Sequence, residues 1–307
     1  MVTFGAKVRI LVCALAALAV PAVIALPAKA AVSRHVVVYY QTQYDGSRYV
    51  SPLGLTQHQT HVTDVLVAAL HLDANKVVHL NDDPPSAAKF SRMWKDLAAM
   101  RAGGVHVLVM VGGAAVGSFH RLDTSFGTYY PLLRNVIGTY HLDGVDLDVE
   151  ESMSLAGIER LIDALRKDFG SGFRITLAPV ATALSGGGNL SGFSYDRLYR
   201  DRGSRISWFN AQFYNGWGSL ASTASYDAVI RHGVVPAGKV VAGAVTNPAN
   251  GGGYVSLGTL QSTLRKLTAK YPTFAGAAGW EYFNSLPGGK GSPWTWAGGV
   301  ASALGVH

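Results

Sequence analysis

Cysteine is almost missing from this sequence: Cys13 is the only one in 307 residues. It lies in an N-terminal stretch that reads as a secretory signal, so the secreted chain would have none. A disulfide framework, a thiolate metal site and a cysteine nucleophile are thereby excluded. In that stretch Lys7 and Arg9 precede an apolar run from Ile10 to Leu26, and Ala28-Lys29-Ala30 puts small residues at the two positions a signal peptidase reads. Pro21 and Pro27 interrupt the run and argue against a membrane anchor. Val12 stands where a lipoprotein signal before Cys13 would want a small residue. The division expected is a signal over residues 1–30 and a secreted, extracellular domain over 31–307.

Other absences narrow the partners. The formal charge of +7 falls to +4 once Lys7, Arg9 and Lys29 are removed, and no Lys/Arg cluster or aromatic-basic stripe concentrates what remains. Nucleic acid is a poor match to such a surface, and a neutral or weakly acidic substrate suits it better. No low-complexity segment or Pro/Ser-rich linker follows Ala31, which argues against an appended binding module and for one large domain. The ten histidines are scattered, with no pair at a metal-ligand spacing in a shared element. A monomer without metal, cofactor or membrane contact is expected.

What is present is an alternation. Short β-branched or aromatic runs occur at 36–40, 65–72, 105–111, 142–149, 174–180, 206–214, 239–245 and 277–283, eight in all. Between them lie stretches of helical period: 86–102, opened by Pro84-Pro85 and a Ser at the cap position; 130–139; 155–169, with Leu155, Ile158, Leu161, Ile162 and Leu165 on one face and Gly170 as the stop; 257–271; and 293–304. Eight strand-helix repeats in one α/β domain predict a closed parallel (β/α)8 barrel, with an open doubly wound sheet as the alternative.

The fourth run carries the chemistry. In HLDGVDLDVEES, side chains of a strand alternate between faces, so Asp146, Asp148 and Glu150 share one face and Val145, Leu147 and Val149 the other. The apolar set would pack under the helices and the acidic set would point into the barrel. At about 6.5–7 Å between alternate residues, the carboxylates climb the strand and put Glu150 at its C-terminal end, where barrel enzymes place their chemistry. Crowding raises carboxyl pKa values and keeps a proton on the array, which makes Glu150 a candidate general acid. A calcium loop would need polar residues and a glycine between the acids, where Leu147 and Val149 stand. Asp146-Leu147-Asp148-Val149 also matches the short nucleophile motif of haloacid-dehalogenase-type phosphatases, although those enzymes carry it on a first strand. A solvated acidic strand end explains Glu150 and Glu151 but not two inward acids below them.

These residues resemble the D-G-x-D-x-D-x-E signature of glycoside hydrolase family 18, the chitinases and endo-β-N-acetylglucosaminidases, which Asp143-Gly144-Val145-Asp146-Leu147-Asp148-Val149-Glu150 matches at every fixed position. The family's S-x-G-G appears as Met110-Val111-Gly112-Gly113, with Met110 in place of Ser. Gln212-Phe213-Tyr214-Asn215 is similar to its Q-F-Y-N form, and Gly279-Trp280-Glu281-Tyr282 to the end of its eighth strand. The stretches 78–82, 110–115, 177–181, 189–195 and 279–289 resemble the fungal secreted endo-β-N-acetylglucosaminidases in particular. The resemblance runs from Val36 to Leu304. It implies a single TIM barrel that lacks the small α+β insertion of processive chitinases, since only about a dozen residues separate Val245 from Leu257.

For the site, the resemblance implies a retaining hydrolysis in which Glu150 protonates the glycosidic oxygen and the substrate's own N-acetyl oxygen attacks the anomeric carbon, giving an oxazolinium ion. Asp148 would orient the N-acetyl group and Asp146 would share a proton with it, their titrations coupled. Tyr214 would donate to the N-acetyl carbonyl, with Gln212 and Asn215 near it, and Trp280 would stack on the sugar. Gly112 and Gly113 would allow close backbone approach beneath the ring, and Asp143, of opposite parity, would brace the strand entry. The expected substrate is the core GlcNAc-β-1,4-GlcNAc bond of glycoprotein N-glycans. A compact chitinase acting on GlcNAc-containing oligosaccharides and a sugar-binding lectin are the alternatives.

Overall fold

The computed structural model describes residues 1–5 and 34–307. The expected signal, with Cys13, both of its prolines and the Ala28-Lys29-Ala30 site, falls on residues outside the described set.

Eight parallel strands close into a barrel: β1 (His35–Tyr40), β2 (Asp64–Leu72), β3 (His106–Gly112), β4 (Gly144–Asp148), β5 (Arg174–Leu177), β6 (Trp208–Gln212), β7 (Val240–Val245) and β8 (Gly276–Trp280). Each pairs with its neighbours in chain order, and β1 pairs with both β2 and β8 (Val38 opposite Val65 and Gly279), which closes the ring and rules out the open sheet. β2 extends into an antiparallel arm, Val78–Leu80, that sets His71 opposite His79.

Side-chain parity sorts the core into two layers. Val36, Val38 and Tyr40 face outward into the layer shared with the helices, while Val37, Tyr39, Leu66, Leu108, Met110, Trp208 and Val241 fill the barrel interior. Val145, Leu147 and Val149 belong to the outer layer as expected. Asp143 braces the strand entry: its carboxylate accepts the Val107 N–H at 2.8 Å and pairs with Arg101.

After a one-turn α1 (Gly54–Gln57), α4 (Phe126–Thr139) covers the helix expected over 130–139, and the helical expectations hold most closely at α5 (Leu155–Phe169). Its Ser154 accepts the Gly157 N–H, Ile158, Leu161, Ile162 and Leu165 are buried, and Gly170 ends it at φ 77°. The helix expected from Ser86 starts instead at Ser91 (α2, Ser91–Ala102), because Ala87 is extended at ψ 139° and Ala88–Phe90 forms a 3-10 turn. Three strand ends recede by two or three residues, to Leu177, Gln212 and Trp280, and β4 ends one residue early at Asp148. Pro179 has no N–H for a ladder, and Asn215 sits at φ 53°. The helices α3 (Ser118–Thr124), α6 (Tyr195–Arg202) and α7 (Ala224–His232) were not expected; α6 buries only Tyr195 and Leu198, too few apolar positions for a visible period. Between β7 and α8 (Leu257–Lys270) there is only one 3-10 turn, Pro248–Asn250, so no inserted domain walls the barrel mouth.

Candidate active site

The C-terminal mouth of the barrel gathers the carboxylates of β4. Asp146 is fully buried, and its oxygens accept from Tyr39 Oη at 2.9 Å, Thr176 Oγ1 at 2.5 Å and Asn210 Nδ2 at 3.0 Å. Burial raises its pKa from the ordinary carboxylate range, and these three donors pull against that rise. Asp148, two residues up, is held well above the usual range by burial first, then by the negative charge of Glu150 and Asp146, with one opposing hydrogen bond from Gln212 Nε2 at 3.1 Å. No hydrogen bond joins Asp146 to Asp148 among the described residues; the Asp146 oxygens meet Tyr39, Thr176 and Asn210 instead. Glu150 lies just past the strand end and half-buried, its N–H on the Asp148 carbonyl at 3.2 Å and its Oε1 accepting from Gln212 Nε2 at 3.2 Å.

Gln212 therefore has a different task from the one its sequence position suggested. It lines the cleft, yet its amide nitrogen is directed at Asp148, Glu150 and the Ala178 carbonyl at 2.9 Å. Its nitrogen orients the two carboxylates, while its Oε1 bonds no other described residue and is left to the cleft it lines. Asn215 is exposed at the rim, its Oδ1 accepting the Gly252 N–H at 2.7 Å, which leaves the amide nitrogen to the cleft. Tyr214 is buried with its ring in the cleft, and its hydroxyl bonds no other described residue; burial and the three carboxylates push its pKa well up, so it stays a donor. Trp280 packs edge-on against Tyr39 at 5.4 Å and remains half-exposed, a ring with one open side.

The glycines of the third strand are needed for close approach. Gly113 has φ 83° and donates its N–H to the Asp148 carbonyl at 2.9 Å; an added Cβ would lie 2.9 Å from Met110 Cε and 3.5 Å from Asp148 Oδ2. A Cβ on Gly112 would lie 2.4 Å from Phe119 Cε2. Gly113 thus leaves the space beside the Asp148 carboxylate open, while Gly112 lets Phe119 of the outer layer pack against the strand end.

Asp148, Glu150, Gln212, Tyr214, Asn215, Trp280 and Gly113 line one cleft of 450 Å³, while Asp146 lies beneath it as a support. Sequence reasoning missed Gln41, His71 and Asn250 in its wall. It also missed Tyr39 and Asn210 under Asp146, although Asn210 shares parity with Gln212 and was findable on that ground. Gln41, His71 and Ala115 are shared with a second, neighbouring cleft of 740 Å³, polar and lined further by Gln43, Tyr44, Asp73, His79, Asn81 and Asp82.

The raised carboxyl pKa values imply a stability cost with a definite sign. A carboxyl whose folded-state pKa exceeds its unfolded value makes the native state bind more protons, so stability falls as pH rises through that window. Asp148→Asn removes the buried charge and keeps an acceptor for Gln212. It is expected to melt above the parent at neutral pH, by about 2–4 °C for each kcal/mol recovered, and the advantage should vanish below the ordinary carboxylate range. Thermal melts at neutral and acid pH check this. A variant that melts lower at neutral pH would contradict the assigned direction.

No protein-family model matches the chain. Among solved structures it is similar to a fungal endo-beta-N-acetylglucosaminidase from glycosyl hydrolase family 18, with 46% identity and a TM-score of 0.85 over 89% of this chain and 98% of that one. It is also similar to the chitinase ChiC from Aspergillus fumigatus, with 46% identity and a TM-score of 0.82 over 90% of this chain and 100% of that one. A curated relative, Endochitinase 4 of Metarhizium robertsii, is 25% identical over 285 residues, 78% of this chain and 81% of that protein.

Proposed function

The chain belongs to glycoside hydrolase family 18 and is a hydrolase of GlcNAc-containing carbohydrate, and from that premise we propose that it cleaves the GlcNAc-β-1,4-GlcNAc core bond of N-glycans. The observation that carries the reading is the fork. A linear chain needs one channel, whereas a branched glycan needs room on two sides of its branch point, and here the 450 Å³ cleft shares Gln41, His71 and Ala115 with a neighbouring one of 740 Å³, with no inserted wall between β7 and α8. The likeness to the fungal endo-beta-N-acetylglucosaminidase is compatible with this choice, as that to ChiC is with the other.

In this mechanism Glu150 is the acid. Asp148 holds the N-acetyl N–H, and Tyr214 donates to the acetyl carbonyl while its oxygen attacks the anomeric carbon. Asp146, fixed by three donors, adds to burial and to the charge of Glu150 in holding the Asp148 pKa well up. Gln212 sets the two upper carboxylates, and Trp280 floors the sugar. We place residues 1–30 as a secretory signal and 31–307 as the catalytic domain of an extracellular monomer; no helix among the described residues is long and apolar enough to cross a membrane.

The compact-chitinase reading is favoured by ChiC and by the relative called Endochitinase 4. One digestion separates the two. High-mannose glycoprotein is expected to lose its glycan and keep a single GlcNAc on Asn, read by mass, while chitin oligomers are cut slowly; rapid chitin cleavage beside an untouched glycoprotein reverses the choice.

A further inference from the structure

Glu281 follows the cleft residue Trp280 in the chain, yet it does not line the cleft. It is 6% exposed and belongs to no ion pair among the described residues. Its carboxylate turns away, to the segment that leaves β1: Oε2 accepts the N–H groups of Gln41 at 3.1 Å and Thr42 at 2.8 Å, and Oε1 accepts the Thr42 hydroxyl at 2.6 Å. Burial raises its pKa and these donors oppose the rise.

The same segment is tethered from the other side. Asn81 Nδ2 donates to the Gln41 carbonyl at 3.0 Å and to Gln43 Oε1 at 2.7 Å, and Gln43 Nε2 donates to the Tyr40 and Ala68 carbonyls. Thr246 fixes the backbone around Glu281, donating its N–H to the Trp280 carbonyl at 2.8 Å and its hydroxyl to the Glu281 carbonyl at 2.6 Å. Between these clamps stands the Gln41 side chain, which lines both clefts and bonds no other described side chain.

We propose that Glu281 is a positioning residue: it locks the Gln41–Thr42 turn to the strand that carries Trp280, so that the free Gln41 amide is presented to the sugar at the fork. A carboxylate suits the task because it accepts from three donors at once and offers none to compete with them, and such charge-assisted bonds are the stronger kind. A group kept only for stability would be better replaced by an apolar one, since a buried charge without a counter-ion is costly. The inference relies on the cleft binding a GlcNAc-containing substrate, whichever polymer is cut.

Four variants test it, with high-mannose glycopeptide or chitohexaose as substrate, whichever the parent cleaves. Gln41→Ala leaves the clamp whole and removes only the presented amide; it is expected to raise KM about 3- to 10-fold, the worth of one hydrogen bond, with kcat within about twofold. Inhibition by a single-sugar thiazoline, which does not reach the fork, should hold. Glu281→Leu should show the same split, and the double variant should lose no more than the larger single change, because both act on one contact. Glu281→Gln should recover most of the loss, since its amide oxygen can take the two N–H groups while the Thr42 hydroxyl turns to accept. An unchanged KM in Gln41→Ala overturns the proposal even where Glu281→Leu fails to fold. Losses that multiply in the double variant, or a Glu281→Gln change that removes kcat as a lost proton donor would, overturn it as well.

Discussion

Glu150→Gln is expected to turn over natural glycan about 10²- to 10⁴-fold more slowly than the parent, the usual worth of a general acid, while still binding it. The departing sugar leaves as an alkoxide unless a proton meets it, and Glu150 is the half-buried carboxyl at the exposed end of the acidic column. Glutamine has the same shape and can still accept from Gln212, so the amide removes the proton and little else. The loss should therefore track the leaving group: large for a sugar, much smaller for an aryl group that departs without help. The melting temperature should stay near that of the parent, which separates a chemical loss from a folding one. Turnover of glycan near the parent's rate would remove Glu150 from the role.

The barrel was legible because its strands are short, buried and β-branched while the helices between them carry one apolar face, two periods that do not resemble each other. β4 was read most fully, since parity assigned every residue from Val145 to Val149 to its layer. The ends of β5, β6 and β8 were overrun because the apolar pattern continues past the regular strand into Pro179, Phe213 and Phe283, and at the first two isolated inter-strand bonds persist, from Gln212 N–H to the Pro179 carbonyl and from Phe213 N–H to the Gly243 carbonyl. Parity also placed Gln212 correctly on the inner face but could not say what it meets there, because its partners come from other strands. The fork was not legible at all. Its walls come from residues 41–44, 71–82, 89–90 and 115, which only the closure of the barrel and the arm at Val78–Leu80 bring together. Glu281 shows the same limit: the sequence marks it as the neighbour of Trp280, and only the structure shows that it faces the opposite segment.

Asp148→Asn is expected to separate two halves of one reaction. If the substrate is its own nucleophile, hydrolysis of natural glycan needs the N-acetyl group driven into attack, and the carboxyl that holds its N–H must also offset charge as the oxazolinium ion forms. Asp148 stands one strand repeat below Glu150, with Gly113 leaving its Oδ2 side open and Tyr214 reaching the same space from beyond β6. Its burial beside two other carboxylates makes it a poor free nucleophile but a group whose charge responds strongly to a neighbouring N–H or cation. The asparagine variant should lose glycan hydrolysis by about 10²-fold or more, in the range that a misplaced reacting group or a removed charge partner costs. A preformed oxazoline donor asks for no such attack, so the variant should still transfer from it to an acceptor sugar. Two further readouts follow from the same geometry: a stable thiazoline should inhibit the parent far more tightly than the product sugar does, and the released sugar should keep the β configuration, because two inversions at one carbon restore it. A covalent sugar ester trapped on Asp146, Asp148 or Glu150 would overturn this mechanism while leaving the fold and the family as they stand.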